Sequence, residues 1–341
     1  MPVVIMVMMP LLLAIGFSVD YTSAVTTKSN MQNALDAAVI SITTLPTTTT
    51  FADRQTALQQ SYAANSGPGG ASAATLTSVD VVSGGTATFA AKASYAMPTS
   101  FMGIAKVNTV PIGIGSSVRK TPALVQTTFK VSLASGYWNK TMTLYGTKFG
   151  DTTAKKLMTI DYTYNGYGDP KGYGTSVVST IDGTTATKVQ QQDCTTSTVS
   201  NFNNLPAGAI TQTSGSTKYV TTCVSTMYPA NGTGAVVDVS QMGSLYLQMD
   251  VPSGNPKKLK SNDPNTSNRL YIGTSQTEMP EVATGLTVDI FTAVPCGQTS
   301  YQAWEDGGNA VPAPVSNADF FYTVQGKCDY NQRPSETVLT Q

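Results

Sequence analysis

The sequence predicts an α+β protein: a long N-terminal helix, a small α+β unit, and then a β-rich domain of sandwich or jelly-roll type. Three observations predict it. The opening stretch, "MPVVIMVMMPLLLAIGFSVDYTSAVTTKSNMQNALDAAVIS", is apolar at its start and passes without a break into a segment of helical period. A second helical pattern follows, and then two alternating runs around Ser-Gly-Gly. Beyond residue 120, short strand-like runs recur between turn residues. The chain of 341 residues is therefore expected to divide into 1–45, the long helix, 46–120, the small unit, and 121–341, an outward-facing β-rich domain.

Met1 to Val19 carries no charge. At 1.5 Å per residue such a run reaches about 28 Å, one bilayer core. Val3, Ile5, Met9, Pro10, Leu13, Phe17 and Val19 are the residues expected to lie in a membrane or among the helices of neighbouring subunits. Pro10 lacks an N–H and crowds the preceding turn, so a kink is expected there. Past Asp20 the pattern narrows to a stripe of Tyr21, Val25, Met31, Leu35 and Val39 on a polar helix. "TTLPTTTT" should end it, since Pro46 and a β-branched run oppose continuation. A helix of that length is roughly twice as long as a membrane is thick. Its distal half must then pack on protein: the chain's own globular part, or the same helix of neighbouring subunits.

"FADRQTALQQSYAANS" reads as the second helix, with Ala52, Leu58 and Tyr62 near one face. "ATLTSVDVV" and "TATFAAKASYAM" form a hairpin, and "VNTVPIGIGSSV" adds a third strand. Thereafter "ALVQTTFKVSL", "TMTLYGT", "LMTIDYTY", "TSVVSTI", "AVVDVS", "SLYLQMDV", "RLYIGT", "GLTVDIFTAV" and "DFFYTVQGKC" are all read as strands.

Composition narrows the function. Formal net charge is zero and only 12% of residues are charged, half of the usual ~25%. Without a basic excess, nucleic acid is not an expected partner. Thr makes up roughly one residue in seven, which favours pleated, half-exposed strands. There is no histidine, so the commonest general base, zinc ligand and triad partner are missing, and the chain is expected not to be an enzyme. Cys194, Cys223, Cys296 and Cys328 include no C-x-x-C pair. They suggest two disulfides in an exported chain, with three possible pairings. Sequential pairing closes the shorter loops and is the one expected.

Two segments suggest chemistry. Glu305, Asp306, Asn317 and Asp319 gather oxygen ligands around a Gly-rich loop, a set that suits calcium and equally suits a polar turn. "YTYNGYGDPKGYG" is either an exposed aromatic surface or a long loop packed by its own rings.

"AIGFSVDYTSAVTTKSNMQNALDAAVIS" resembles the N-terminal helix of TadE/TadG-like proteins of the bacterial tight-adherence (Tad/Flp) pilus system. The matching positions are Val19, Asp20, Tyr21, Lys28, Met31, Gln32, Ala34, Leu35, Asp36, Ala37 and Ala38. A second similarity lies in "ASYAMPTSFMGIAKVNTVPIGIGSSV", so the two cover the first 120 residues. The resemblance implies a pilin-like structural subunit, from which a prepilin peptidase removes a short charged leader. It would be a single-pass protein of the inner membrane before assembly, its body outside the cytoplasm, and then part of an extracellular filament. The implied partners are copies of itself or other pilins, through the N-terminal helix, and the Tad assembly machinery. The alternatives are a membrane-anchored periplasmic scaffold of assembly and a surface adhesin with a ligand-binding β domain.

Overall fold

The computed structural model describes residues 2–67, 72–82, 85–331 and 337–340, with side chains from residue 14 onward. Two compact units emerge, Met1–Ala123 with Asp329–Gln341, and Leu124–Cys328. The architecture is α+β, as the sequence predicts: two long helices in the first unit, one short helix in the second, and strands in both.

In the first unit, α1 runs unbroken over Pro2–Ile42. Met31, Ala34, Leu35, Ala38, Val39 and Ile42 recur at three- and four-residue steps, and all are buried. They pack on α2 (Phe51–Asn65) and on a sheet of β1 (Ala74–Val81), β2 (Ala87–Pro98), β3 (Thr109–Lys120) and the chain's last strand, β17 (Thr337–Leu339), in that order. The helix ends four residues before Pro46, immediately ahead of the expected stop. Thr50 then caps α2: its hydroxyl accepts from the Asp53 N–H at 3.1 Å and donates to the Asp53 carboxylate at 2.7 Å. The tip of the β1–β2 hairpin at residues 83–84, and most of the Gly-Pro-Gly-Gly expected to end α2, lie outside the described residues.

The buried face of α2 is Arg54, Leu58 and Tyr62, with Ala52 exposed, contrary to the sequence reading. The reason lies at the end of α1, whose last turn has no basic residue of its own. Arg54 reaches across and donates to the carbonyls of Ile42 at 2.5 Å, Leu45 at 3.2 Å and Pro46 at 2.6 Å. These include carbonyls that a helix end leaves without partners, at the end that favours a cation. The guanidinium also lies 5.2 Å from the ring centre of Phe89 and 5.8 Å from that of Tyr330. Gln55 and Gln59 use their amides to pair Ala74 and Leu76 on the open edge of β1, where an unpaired strand edge invites association.

The second unit is a sandwich. One sheet is antiparallel with eight strands, in the order β13 (Lys258–Lys260), β12 (Met242–Asp250), β5 (Lys140–Lys148), β6 (Lys155–Tyr164), β7 (Gly174–Asp182), β8 (Thr185–Val199), β10 (Thr217–Met227), β9 (Ile210–Ser214). The other has five, in the order β11 (Ala235–Asp238), β4 (Ala123–Ala134), β16 (Phe320–Asp329), β15 (Thr299–Trp304), β14 (Leu270–Gly273). Met142, Leu144, Ile160 and Leu247 from the first sheet share one core with Phe129, Trp304, Phe320 and Val324 from the second.

Cys194 and Cys223 face each other across β8 and β10 and are bonded, and Cys296 is bonded to Cys328. This is the sequential pairing. "GLTVDIFTAV" does not form the expected strand. Asp289 accepts from the Phe291 N–H at 3.0 Å and starts a short helix, α3 (Ile290–Ala293), instead.

Candidate functional site

Two places in the molecule gather polar groups where the surroundings are apolar. The first lies on α1. Asp20 is only 3% exposed although it sits in the stretch where α1 leaves the packed core. Its carboxylate accepts backbone N–H groups from Ser100 at 2.9 Å, Phe101 at 2.9 Å and Met102 at 2.7 Å. These three residues open a 3-10 turn at Met102–Ala105, which closes with Lys106 in the left-handed region at φ 64°. One turn earlier on the helix, Gly16 makes room for the same loop, since a Cβ there would lie 2.5 Å from the Cβ of Phe101. Asp20 and "PTSFMG", the two sequence matches, are thus one structural device separated by 80 residues.

Burial pushes the Asp20 pKa up, but the three N–H donors outweigh it and leave the group below its ordinary value. A carboxyl with a lowered folded-state pKa contributes stability in full above its unfolded pKa and loses it as the pH falls through the lowered value. Amide exchange at Ser100, Phe101 and Met102 is therefore expected to be slow at neutral pH and to lose its protection on acidification below the ordinary carboxylate range. In Asp20→Asn, which offers one acceptor oxygen, that protection should already be weak at neutral pH. Exchange followed by NMR or mass spectrometry checks both, and equal protection in the variant would refute the role of the charge.

Around this device the surface carries many apolar side chains among Ser and Thr. Ile15, Phe17, Val19, Tyr21 and Val25 are exposed on α1, and Phe101, Ile104 and Val107 are exposed on the loop. The expected stripe therefore divides. Met31, Leu35 and Val39 are buried in the chain's own unit, whereas Tyr21 and Val25 face out. Of the expected membrane or filament residues, Phe17 and Val19 are exposed, and Val3, Ile5, Met9, Pro10 and Leu13, with the expected kink, lie outside the described side chains. Among the described residues no helix is long and apolar enough to cross a membrane.

The second place is in the sandwich. Lys140 opens β5, and its side chain is fully buried. Its Nζ lies 2.6 Å from Oδ2 of Asp306, 3.6 Å from Oδ2 of Asp319, and 2.8 Å from the Ser135 carbonyl that it donates to. It also lies 5.4 Å from the ring centre of Tyr162. Asp306 follows β15 and Asp319 precedes β16, so the ion pair joins the two sheets. Burial, and then the neighbouring carboxylates of Asp306 and Glu305, raise the Asp319 pKa to about 7 in spite of Lys140. Gly136, at φ 109°, closes the site from above, and a Cβ there would lie 2.6 Å from Nζ.

Glu305, Asp306 and Asp319 offer oxygens within 4.8 Å of one another, and Asn317 lines the same cavity, so the sequence reading did find a cluster. It missed the cation. Calcium needs six to eight oxygens at about 2.3–2.6 Å. Here Asp306 already holds Lys140, and both oxygens of Glu305 accept from Asn309, at 3.1 and 3.0 Å. The donor set fits an ammonium, and it does not fit a dication pressed against that ammonium. In the tyrosine-rich loop beside it, Tyr162 and Tyr173 are buried, Tyr167 is exposed, and Tyr164 meets the Tyr137 ring edge-on. Tyr162 donates to the carbonyls of Gly136 and Gly172, and buried Asp169 accepts the N–H of Gly172.

Comparison with known proteins agrees with the first of these places. Residues 1–41 match a family described as "Putative Flp pilus-assembly TadE/G-like". No curated protein and no solved structure matches the chain. A component of that system works in the cell envelope or outside the cell. The N-terminal helix, residues 1–41, is thus similar to TadE/G-like proteins of Flp pilus assembly.

Proposed function

We propose that the chain is a pilin-like structural subunit of a Tad-type surface pilus and has no enzymatic role. The apolar start of α1 holds it in the inner membrane, as a single-pass protein with its body outside the cytoplasm. The assembly machinery then moves the helix from lipid onto the helices of neighbouring copies or other pilins. One observation carries this reading. α1 buries its C-terminal part in its own unit but leaves Ile15, Phe17, Val19, Tyr21 and Val25 uncovered, next to the exposed Phe101, Ile104 and Val107. An apolar surface of this kind marks an interaction site. Burying it stabilises by about 25 cal/mol per Å², and either lipid or other helices can supply the cover.

The test is the pair Tyr21→Asp and Val25→Asp made together. Both positions are exposed, so the melting temperature and the membrane-bound precursor should be unchanged. The sheared extracellular filament fraction should fall to background on an immunoblot. Unchanged filament yield would refute the proposed contact. A native chain found only in the inner-membrane fraction would favour the scaffold role instead.

A further inference from the structure

We infer that Lys140 and Asp306 condense to an intramolecular amide bond that covalently joins the two sheets of the sandwich. The two reacting groups are already in contact. Nζ of Lys140 lies 2.6 Å from Oδ2 of Asp306, and both side chains are buried. Holding two groups at contact replaces an encounter by an intramolecular step, worth an effective concentration of about 10⁵ M or more in well-oriented cases. Neither partner can retreat easily. The lysine is pinned by the Ser135 carbonyl and by the approach of Gly136, and Asp306 leaves a strand that pairs with β14 and β16.

The step balances without any co-reactant. A proton passes from the Lys140 ammonium to the Asp306 carboxylate, leaving an amine and a carboxylic acid. The amine lone pair attacks Cγ of Asp306, forming the C–N bond. Asp319, with Oδ2 3.6 Å from Nζ, serves as the acid–base group: it takes a proton from the attacking nitrogen and returns one to the departing hydroxyl. The C–O bond breaks, one water leaves, and an amide remains. Asp319 ends as it began. Its pKa of about 7 suits both halves of that exchange. The released water has an exit, since the pair borders a cavity lined by Trp138, Lys171 and Asn317. The inference stands on the second unit alone and does not depend on the role of α1.

The measurement is the intact mass of the native full-length chain after disulfide reduction, followed by peptide mapping. The mass should be short by one water, and a branched peptide should join Lys140 to Asp306. Asp306 precedes Gly307, and cyclisation onto that backbone nitrogen would also lose water, so Lys140→Arg is the control. It keeps the positive charge, should fold, and should show the full mass. Asp319→Asn should leave most of the folded chain unlinked. The inference is overturned by a folded native chain of full mass, by a water loss that persists in Lys140→Arg, or by a branch point at another residue.

Discussion

Leu35→Asp is expected to unfold the first unit in the isolated chain, before any step of assembly. Leu35 has no exposed surface and lies in the centre of the stripe that α1 lays on α2 and the sheet. Removing a buried leucine side chain alone costs about 2–5 kcal/mol. The carboxylate adds an unpaired buried charge, so the sum should exceed about 5 kcal/mol. That is comparable with the whole stability of a small domain, about 5–15 kcal/mol. Asp36→Asn, one residue on, should be mild, because Asp36 is only half-buried and its contact is the Gln32 amide at 2.9 Å. Thermal melting by circular dichroism distinguishes the two, and an unaltered transition in Leu35→Asp would refute the packing. A missing filament in Leu35→Asp would accordingly report on folding, whereas Tyr21 and Val25 report on contact between subunits.

Arg54→Met should be nearly as damaging, although a polar residue is replaced by an apolar one of similar length. The change strands the carbonyls of Ile42 and Leu45, leaves Pro46 with the Thr49 N–H alone, and removes the cation beside Phe89 and Tyr330. Each buried partner left unpaired costs about 1–3 kcal/mol. A total of at least about 3 kcal/mol should lower the melting temperature of the first unit by roughly 10 °C. Arg54→Lys should recover only part of this, since an ammonium cannot spread over three carbonyls and lie flat between two rings. A melting temperature within a degree of the native one in Arg54→Met would show that the junction is held in some other way.

These two residues also show what a sequence can reveal. Leu35 was legible because helical burial has a period, and Met31, Leu35 and Val39 repeat it. Arg54 was not, because hydropathy assigns a guanidinium to solvent and the carbonyls it serves belong to another helix. The same limit hid the Asp20 contact and the Lys140 pair. Asp20 and the loop N–H groups are 80 or more residues apart, and Lys140 and Asp306 are 166 apart. Only the acidic half of the latter site shows in the sequence as a cluster, because Lys140 lies so far from it along the chain. β8 and β10 left no trace in hydropathy either. "TATKVQQQDCTTSTV" alternates between polar residues on both faces, with Gln190, Gln192 and Thr196 turned inward. The cysteines on these two strands were nevertheless paired correctly, since loop length alone favoured that pairing.

The return of the chain to its first sheet has a mechanical consequence. β17 lies beside β3, with Thr337 opposite Lys120, so the second unit is inserted into the first and leaves it through both of its ends. The two strands are antiparallel, and the end of β3 and the start of β17 share one edge of the sheet. A load on the inserted unit is therefore shared by two adjacent strands of one sheet.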